Sequence, residues 1–153
     1  MVSILFVCLG NICRSPAAEG ILKQLAADKA LHVESCGLGD WHVGQLADGR
    51  MREAAIDRGV ILSSRAQQFQ EGFFEKFDYI LAVDNEVLHD LYRYAKTPEQ
   101  KVKLHLITAF SKSYPNQEIP DPFYGGRVDF DRVLDMLEDS CEGLLQEINR
   151  RKT

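Results

Sequence analysis

A cysteine and an arginine near the start of the chain have the types and spacing of a nucleophile beside an anion clamp. Cys8 and Arg14 have five residues between them, and Ser15 follows directly. A cysteine thiolate is a strong nucleophile, and an arginine guanidinium can donate two parallel hydrogen bonds to a tetrahedral oxyanion. The Ser15 hydroxyl is near enough in sequence to donate a hydrogen bond to the sulfur. The pattern indicates nucleophilic attack on a bound oxyanion.

The elements on either side of this segment are those that build anion sites in α/β proteins. Residues 3–8 form an apolar, β-rich run without charge, which predicts a strand buried on both faces. Ser15 and Pro16 predict the N-cap and the first position of a helix that runs to about residue 29. A loop between strand and helix can direct its backbone N–H groups, together with the positive helix terminus, toward one anion. This context favours a reactive site over the alternative of a buried core Cys8 and a solvated Arg14.

A single carboxylate, Asp121, lies much later, in a segment with too many breakers for a regular element. Residues 111–126 contain three prolines and two glycines. A carboxyl group in such a loop can serve as a general acid and base. The alternative is a simple turn that begins with Asp121 and Pro122. The residue types alone leave both interpretations open.

Strand and helix signals alternate along the rest of the chain. Further strands are predicted at 31–35, 78–83 and 104–108, and helices at 45–58 and 86–95, with Asp84 as the cap of the latter. Apolar residues spaced by three and four predict a long C-terminal helix, and they are Phe130, Leu134, Leu137, Cys141, Leu144, Leu145 and Ile148. The alternation predicts one α/β domain over residues 1–153, with a parallel sheet and helices on both faces. Ligands of such sheets bind at the carboxyl ends of strands, where residues 9–15 lie.

The composition argues against several other classes of protein. With 18 Lys and Arg against 23 Asp and Glu, the 153 residues carry a net charge of −5, which disfavours nucleic acid and membrane surfaces as partners. No apolar run reaches the length of a spanning helix, and the first one lacks the pattern of a signal peptide, so we expect a cytoplasmic protein. The four cysteines and four histidines lack the spacing of a metal site, and neither a P-loop nor a dinucleotide fingerprint is present. We therefore expect no metal and no cofactor.

Two segments of the chain together resemble a known enzyme family. The sequence VCLGNICRSP at 7–16 is similar to the phosphate-binding signature of the low-molecular-weight protein tyrosine phosphatases, and DPFYG at 121–125 resembles their general-acid loop. The resemblance covers nearly the whole chain. It implies a flavodoxin-like, four-stranded parallel sheet and a metal-free, two-step hydrolysis of phosphotyrosine through a phosphocysteine. It also implies tyrosine-phosphorylated proteins as partners and inhibition by phosphate-like oxyanions, and we expect a monomer.

The same resemblance implies a role for each residue of the two motifs. Cys8 would be the nucleophile, Arg14 the clamp on the phosphate and transition state, and Ser15 the hydrogen-bond donor to the thiolate. Asn11 would hold the loop in a left-handed turn, a conformation that asparagine tolerates better than most residues. Asp121 would protonate the leaving oxygen and then activate water. The remaining loop residues would bind the substrate phosphate, namely Leu9, Gly10, Ile12 and Cys13.

Three further positions carry interpretations that the resemblance alone leaves open. Trp41 and Tyr124 resemble the aromatic walls of the family's cleft, which favour phosphotyrosine over the shorter phosphoserine; the alternative for each is a surface aromatic packed on the core. Cys13 has two interpretations of equal standing. In the family, a cysteine here can form a disulfide with the nucleophile and protect it from overoxidation; otherwise it is a small residue that fills a tight loop.

One segment departs from the family pattern. Residues 62–67, LSSRAQ, lack the histidine and arginine that many members have there, with Ser64 and Gln67 among the replacements. The sequence therefore leaves open how this segment supports the phosphate loop.

Three other functions fit the sequence less well than phosphotyrosine hydrolysis does. Arsenate reduction in relatives needs a close pair of further cysteines, which Cys36 and Cys141 do not form in sequence. Phosphoarginine hydrolysis is typical of relatives with threonine at the position of Ile12. A phosphoprotein-binding module without activity has no need of both Cys8 and Asp121.

Overall fold

The apolar run near the start of the chain forms the central strand of the sheet. The computed structural model describes residues 1–27 and 29–152. The first strand, β1 (Val2–Cys8), is buried from Ile4 to Cys8 and pairs in parallel with a strand on each side. Strands covered on both faces favour continuous apolar sequence, and this explains the absence of alternation in the run.

Four parallel strands make up the sheet, in the order β2-β1-β3-β4. The others are β2 (Leu31–Gly37), β3 (Tyr79–Ala82) and β4 (Leu104–Leu106). The helices are α1 (Arg14–Leu25), α2 (Gly49–Ile56), α3 (Phe73–Lys76), α4 (Asn85–Tyr94), α5 (Pro98–Lys101) and α6 (Arg127–Lys152), and a 3₁₀ turn covers Ile107–Phe110. The prediction of a single-domain, flavodoxin-like α/β fold is confirmed.

The strand order fixes where a ligand can enter. From β1 the chain moves through α1 to β2 on one side, and later from β3 through α4 to β4 on the other side. Because such crossovers are right-handed, α1 and α4 cover opposite faces of the sheet. The connections that leave the neighbouring strands β1 and β3 therefore run to opposite sides of the sheet. A crevice opens between them at the carboxyl ends of the strands. The loop after β1 lies at that crevice.

The C-terminal helix closes the core on the α1 side, where it packs against α1, α2 and the 3₁₀ turn. All the apolar positions predicted for this helix are buried except Leu145, which is partly buried and packs on the core. Its approach to the 3₁₀ turn is very close, since a Cβ atom at Gly143 would lie 1.9 Å from the carbonyl oxygen of Phe110. None of the helices in the described part of the chain is long and apolar enough to cross a membrane.

Several helix and strand boundaries differ from the prediction. Helix α1 starts at Arg14 with Cys13 as its N-cap and ends at Leu25, so the prediction of Ser15 as the cap is wrong. Helix α2 starts at Gly49 rather than at residue 45, because Gln45 and Ala66 form a backbone hydrogen bond that holds the earlier residues extended. Strand β4 ends at Leu106, and the chain turns there into the 3₁₀ turn.

The predicted cap of α4 and the predicted left-handed glycine after α2 are confirmed, although α2 ends at Ile56 rather than at residue 58. The Asp84 carboxylate caps α4 by accepting a hydrogen bond from the Val87 N–H at 2.9 Å. Gly59 follows α2 with a φ of +80°, the left-handed conformation expected of a glycine after a helix. Asp84 thereby becomes fixed at the carboxyl end of β3, beside the crevice.

Candidate active site

The loop between β1 and α1, here called the anion loop (residues 8–15), closes around the sulfur of Cys8. Cys8 ends β1 and is 3 % exposed. Its Sγ lies 2.8 Å from Ser15 Oγ and accepts a hydrogen bond from the Asn11 N–H at 3.0 Å. Two groups able to donate hydrogen bonds, the Ser15 hydroxyl and the Asn11 N–H, therefore lie against the Cys8 sulfur.

Asn11 holds the anion loop in its left-handed turn, with a φ of 59°. Its Nδ2 donates to Ser15 Oγ at 2.7 Å and to Ser35 Oγ at 3.0 Å, and its Oδ1 accepts from the Gln67 N–H at 3.0 Å. Because Ser15 Oγ accepts from Asn11, its own proton is available for the Cys8 sulfur. The Asn11 amide therefore sets both the shape of the loop and the direction of the hydrogen bond to sulfur.

Support from the segment that departs from the family pattern comes through Gln67. Besides its backbone bond to Asn11, its side-chain Nε2 donates to Glu34 Oε1 at 2.9 Å and to the Ser35 carbonyl at 3.0 Å. The Ser35 hydroxyl in turn donates to the buried Glu19 carboxylate at 2.6 Å. Gln67 of this segment, together with Ser35 of β2, thus supports the anion loop in place of the histidine that many family members have.

Neighbouring backbone fixes the outer side of the anion loop. The Cys8 carbonyl accepts from Leu38 N–H, the Leu9 carbonyl from Gly39 N–H, and the Ile12 carbonyl from Asp48 N–H, at 3.0, 2.9 and 2.7 Å. A Cβ atom at Gly37 would lie only 2.8 Å from the Leu9 carbonyl oxygen, so the end of β2 lies directly against the loop. With these three carbonyls bound outside, the site can direct N–H groups inward.

Arg14 is held at the switch point of the sheet by groups from two other elements. Its side chain is 8 % exposed, and Nη1 donates to Asp84 Oδ2 and to the Ile119 carbonyl, both at 2.9 Å. Within the described chain, its Nε and Nη2 have no protein acceptor. That edge of the guanidinium is therefore available to donate two parallel hydrogen bonds to an oxyanion.

A cleft of about 200 Å³ lies over the anion loop. Trp41 and Tyr124 are 63 % and 97 % exposed on its rim, as expected of side walls rather than of core aromatics. Asn11 and Ser15 are buried behind the loop, so they act on the loop and on sulfur rather than on the cleft. The lining residues are Cys8, Leu9, Gly10, Ile12, Cys13, Arg14, Trp41, His42, Asp121, Phe123 and Tyr124.

Sequence reasoning missed two lining residues, His42 and Phe123. Phe123 lies within the DPFYG motif, and its ring packs edge-to-face on Tyr124 with centroids 5.0 Å apart. His42 follows Trp41 directly, and no spacing in the sequence marked it. A neighbour of a predicted cleft residue on the same loop is the signal that could have found both.

Asp121 reaches the cleft from an exposed loop, here called the Asp121 loop (residues 120–125). Its Oδ1 accepts a hydrogen bond from the Phe123 N–H at 3.1 Å, as in a turn that starts with aspartate. The carboxylate thus shapes the turn and also lines the cleft, so the turn does not exclude a role for Asp121 as general acid and base.

The cysteines other than Cys8 are held as neutral thiols. Burial, with the nearby charges of Asp48 and Asp121, raises the pKa of Cys13 to about 12. Burial also raises the pKa of Cys36 and Cys141, which are core residues as predicted. Among the residues that the structure describes, no group of three or more His, Cys, Asp or Glu side chains could hold a metal ion.

Comparison with known proteins decides the family. A family model described as low molecular weight phosphotyrosine protein phosphatase matches residues 3–153. The chain belongs to this phosphatase family. Membership makes it a protein-tyrosine phosphatase, in agreement with the resemblance of the two motifs.

Relatives of this phosphatase match over nearly their full length. The low molecular weight protein-tyrosine-phosphatase of Streptomyces coelicolor is 36% identical over 154 residues, with 97% of this chain and 94% of the relative covered. The low molecular weight phosphotyrosine protein phosphatase of Sus scrofa is 33% identical, with 95% of each covered. A crystal structure of protein tyrosine phosphatase from Entamoeba histolytica, with Hepes in the active site, gives a TM-score of 0.94 at 38% identity over 100% of both chains.

Proposed function

We propose that this phosphatase hydrolyses phosphotyrosine in proteins in two steps, with Cys8 as nucleophile, Arg14 as phosphate clamp and Asp121 as general acid and base. The observation that carries the proposal is the convergence of all three side chains on one cleft, although Asp121 is more than a hundred residues from the others. Residues 9–13 would bind the phosphate through their backbone.

In the first step the Cys8 sulfur attacks phosphorus. A sulfur–phosphorus bond forms, the bond from phosphorus to the tyrosyl oxygen breaks, and Asp121 gives its proton to that oxygen, so that the phenol leaves neutral. The Nε and Nη2 groups of Arg14 donate hydrogen bonds to the phosphoryl oxygens and stabilise the negative charge that develops on them. They thereby take the place of the metal ion that other phosphatases use.

In the second step water completes the reaction. The Asp121 carboxylate accepts a proton from water, the water oxygen attacks phosphorus, and the sulfur–phosphorus bond breaks to release inorganic phosphate. Cys8 leaves as a thiolate, and the Ser15 hydroxyl and Asn11 N–H stabilise it. The same two donors thus assist attack and departure of the sulfur.

The rim of the cleft supports an aromatic phosphate ester as the substrate. Trp41 and Tyr124 line the cleft beside the anion loop, and a phenyl ring that packs against them would bring its phosphate to the loop. The shorter side chain of phosphoserine lacks that reach. We further propose that the protein works as a monomer in the cytoplasm, where reducing conditions keep its four thiols free.

Replacement of Cys8 by Ser tests the nucleophile. We expect turnover of a phosphotyrosine peptide to fall below detection, while orthovanadate still binds, because Arg14 and the loop N–H groups are unchanged. Cys141→Ser is the matched control, since that thiol lies in α6 against the Ala18 carbonyl. Activity above a trace in Cys8→Ser would assign the attack to another group.

Replacement of Asp121 by Asn tests the acid. Asparagine has no proton to give to the leaving oxygen, and general acid catalysis contributes about 10²–10⁴-fold. We expect kcat/KM to fall by about that factor for leaving groups as basic as tyrosine, and much less for acidic phenols. An equal loss at every leaving-group pKa would leave Asp121 as a turn residue only.

A further inference from the structure

An arginine outside the two motifs, Arg50, contacts the loop that carries Asp121. Arg50 lies in the first turn of α2, and its Nη1 donates to the Phe123 carbonyl at 2.8 Å. We propose that Arg50 is a positioning residue, which holds the Asp121 loop over the anion loop so that the Asp121 carboxyl meets the leaving oxygen. The inference rests on the proposed role of Asp121, and it adds a group that neither motif contains.

The Asp121 loop has few other attachments. Two of its residues, Pro120 and Pro122, have no N–H to donate. The hydrogen bonds from Phe123 N–H to Asp121 and from Gly125 N–H to the Pro122 carbonyl stay inside the loop. Within the part of the chain that the structure describes, the bond from Arg50 is the one hydrogen bond that reaches residues 120–125 from another element.

The guanidinium also packs on two aromatic rings. Its central carbon lies 5.1 Å from the centroid of the Phe123 ring and 4.9 Å from that of Phe130, in the first turns of α6. A guanidinium over the face of an aromatic ring is attracted by the negative charge of that face. Arg50 therefore holds the Asp121 loop by a carbonyl and a ring, and braces it against the helix that follows.

The opposite side of Arg50 is tied to the anion loop through Asp48. Nε and Nη2 of Arg50 donate to the two carboxylate oxygens of Asp48 at 3.1 and 3.0 Å. The Asp48 backbone N–H donates to the Ile12 carbonyl at 2.7 Å. One connected path thus runs from Ile12 through Asp48 and Arg50 to Phe123, and joins the loop of the nucleophile to the loop of the acid.

The charge of Asp48 is secured by the same arrangement. Hydrogen bonding to Arg50 lowers the pKa of Asp48 in spite of its partial burial, so the ion pair persists at neutral pH. A guanidinium can make these bonds together because its donors lie in one plane, at fixed angles. Lysine has a single ammonium group in that place and can replace only part of the set.

The test compares kcat/KM over a series of aryl phosphates whose leaving phenols differ in pKa. This constant reports the steps up to departure of the phenol, which is where the acid acts. We expect Arg50→Ala to lose about tenfold for leaving groups near the pKa of tyrosine, about 10, and little for acidic phenols. Arg50→Lys should lie between wild type and Arg50→Ala, with the same trend.

A double variant separates positioning from general damage. In the Asp121→Asn background there is no acid left to place, so Arg50→Ala should cause no further loss for basic leaving groups. Arg127→Ala is the matched control: its side chain is 44 % exposed against 48 % for Arg50, and it pairs with Asp57 and Asp131 instead. We expect the control to keep the wild-type dependence on leaving group.

Each outcome decides the inference. A uniform loss across leaving groups in Arg50→Ala, or losses that add in the double variant, overturns it. If the loss of kcat/KM rises with leaving-group pKa in Asp121→Asn but not in Arg50→Ala, the inference alone is overturned. If the loss in Asp121→Asn does not depend on leaving-group pKa, the proposed acid is overturned and the inference with it. If Arg50→Ala binds orthovanadate less tightly than wild type, the same comparison of kcat/KM across leaving groups is made with Arg50→Lys.

Discussion

Cys8 and Cys13 share one loop, and their surroundings give them opposite chemistry. The sulfur of Cys8 receives two hydrogen-bond donors, and it faces the clamp of Arg14 across the cleft. The thiol of Cys13 is buried near Asp48 and Asp121, and its pKa rises to about 12. An oxidant that enters the cleft therefore meets the Cys8 sulfur, the proposed nucleophile, with the neutral thiol of Cys13 in the same loop.

Mild peroxide should inactivate the enzyme reversibly. Hydrogen peroxide converts the Cys8 thiolate to a sulfenic acid, and the Cys13 thiol then displaces water to form a disulfide, which added thiol reduces. We expect Cys13→Ser to recover several-fold less activity after thiol treatment, because its sulfenic acid oxidises further. The measurement is activity after peroxide and then dithiothreitol, with Cys141→Ser as control. Equal recovery in Cys13→Ser and wild type would favour the other interpretation, in which Cys13 only fills the loop.

Single residues also show where the sequence was and was not sufficient. The pattern of Cys8, Arg14 and Ser15 predicted an anion loop, because the residues lie between an apolar strand and the start of a helix. It also predicted Ser15 as the cap of α1, which is wrong because the helix already begins at Arg14, with Cys13 as its N-cap, so Ser15 lies inside the first turn. There its hydroxyl contacts Asn11 and the Cys8 sulfur, and no local pattern in the sequence reveals those contacts.

Contacts between elements impose constraints that residue types do not reveal. Helix α6 and the 3₁₀ turn approach so closely at Gly143 that no side chain fits there. Alanine in a helix interior is normally more stable than glycine by about 1 kcal/mol. At this position the methyl group would overlap the carbonyl oxygen of Phe110, so the usual preference reverses.

Gly143→Ala should therefore destabilise the protein. Overpacking of this kind costs typically 1–3 kcal/mol, which lowers the midpoint of urea unfolding at an unchanged slope. Gly72→Ala is the control, since a Cβ atom at Gly72 would meet nothing within 4 Å. A variant as stable as wild type would show that α6 can shift away from the turn without loss.

Strand β2 carries a carboxylate that links stability to pH. Burial acts to raise the pKa of Glu34, but hydrogen bonds from Lys76, Gln67 and His32 outweigh it and lower the pKa to about 2. A carboxylate with a lowered pKa stabilises the fold at pH values above its usual 4.5, and this stabilisation is lost as the pH falls toward 2.

Glu34→Gln should remove the part of the pH dependence of stability that Glu34 contributes. We expect the variant to be less stable than wild type at pH 7 by about 1–2 kcal/mol, because the ion pairs face solvent and yield less than the full linkage. The difference should shrink steadily between pH 5 and pH 2. Denaturant unfolding of both proteins across that range measures it, and a gap that stays constant with pH would contradict the assignment.

Element boundaries were harder to predict than the elements themselves. The apolar run of β1 and the periodic apolar face of α6 are strong local signals, and both elements were found. Helix α2 was predicted to start at residue 45, because nothing local shows that Gln45 is bonded to the distant Ala66. The four-residue helices α3 and α5 contain too few residues to establish a period.

At the scale of the whole molecule, the sheet brings together residues that are remote in sequence. Cys8 ends β1, Asp84 follows β3, and Asp121 comes from the loop before α6, and all three lie at the crevice between β1 and β3. The alternation of strands and helices along the chain was enough to predict a ligand site at the carboxyl ends of the strands, because parallel strands end on the same edge. The path through Asp48 and Arg50 was beyond prediction, since it depends on the angle at which α2 enters.

Chelators should leave activity unchanged. Arg14 and the backbone donors of the anion loop supply the positive charge that metal ions supply in other phosphatases. The measurement is kcat/KM for an aryl phosphate before and after dialysis against EDTA. Activity that is lost on dialysis and returns with a divalent cation would exclude the phosphocysteine mechanism.

The fixed Nη1 of Arg14 has a consequence for the thermodynamics of binding. A free arginine side chain has about 2 kcal/mol of rotamer entropy to lose on immobilisation. Because Asp84 and Ile119 hold the side chain through Nη1, that loss belongs to folding and does not recur when a ligand binds. We therefore expect the hydrogen bonds from Nε and Nη2 to form without this entropic cost, for released inorganic phosphate as well as for the phosphate group of a substrate.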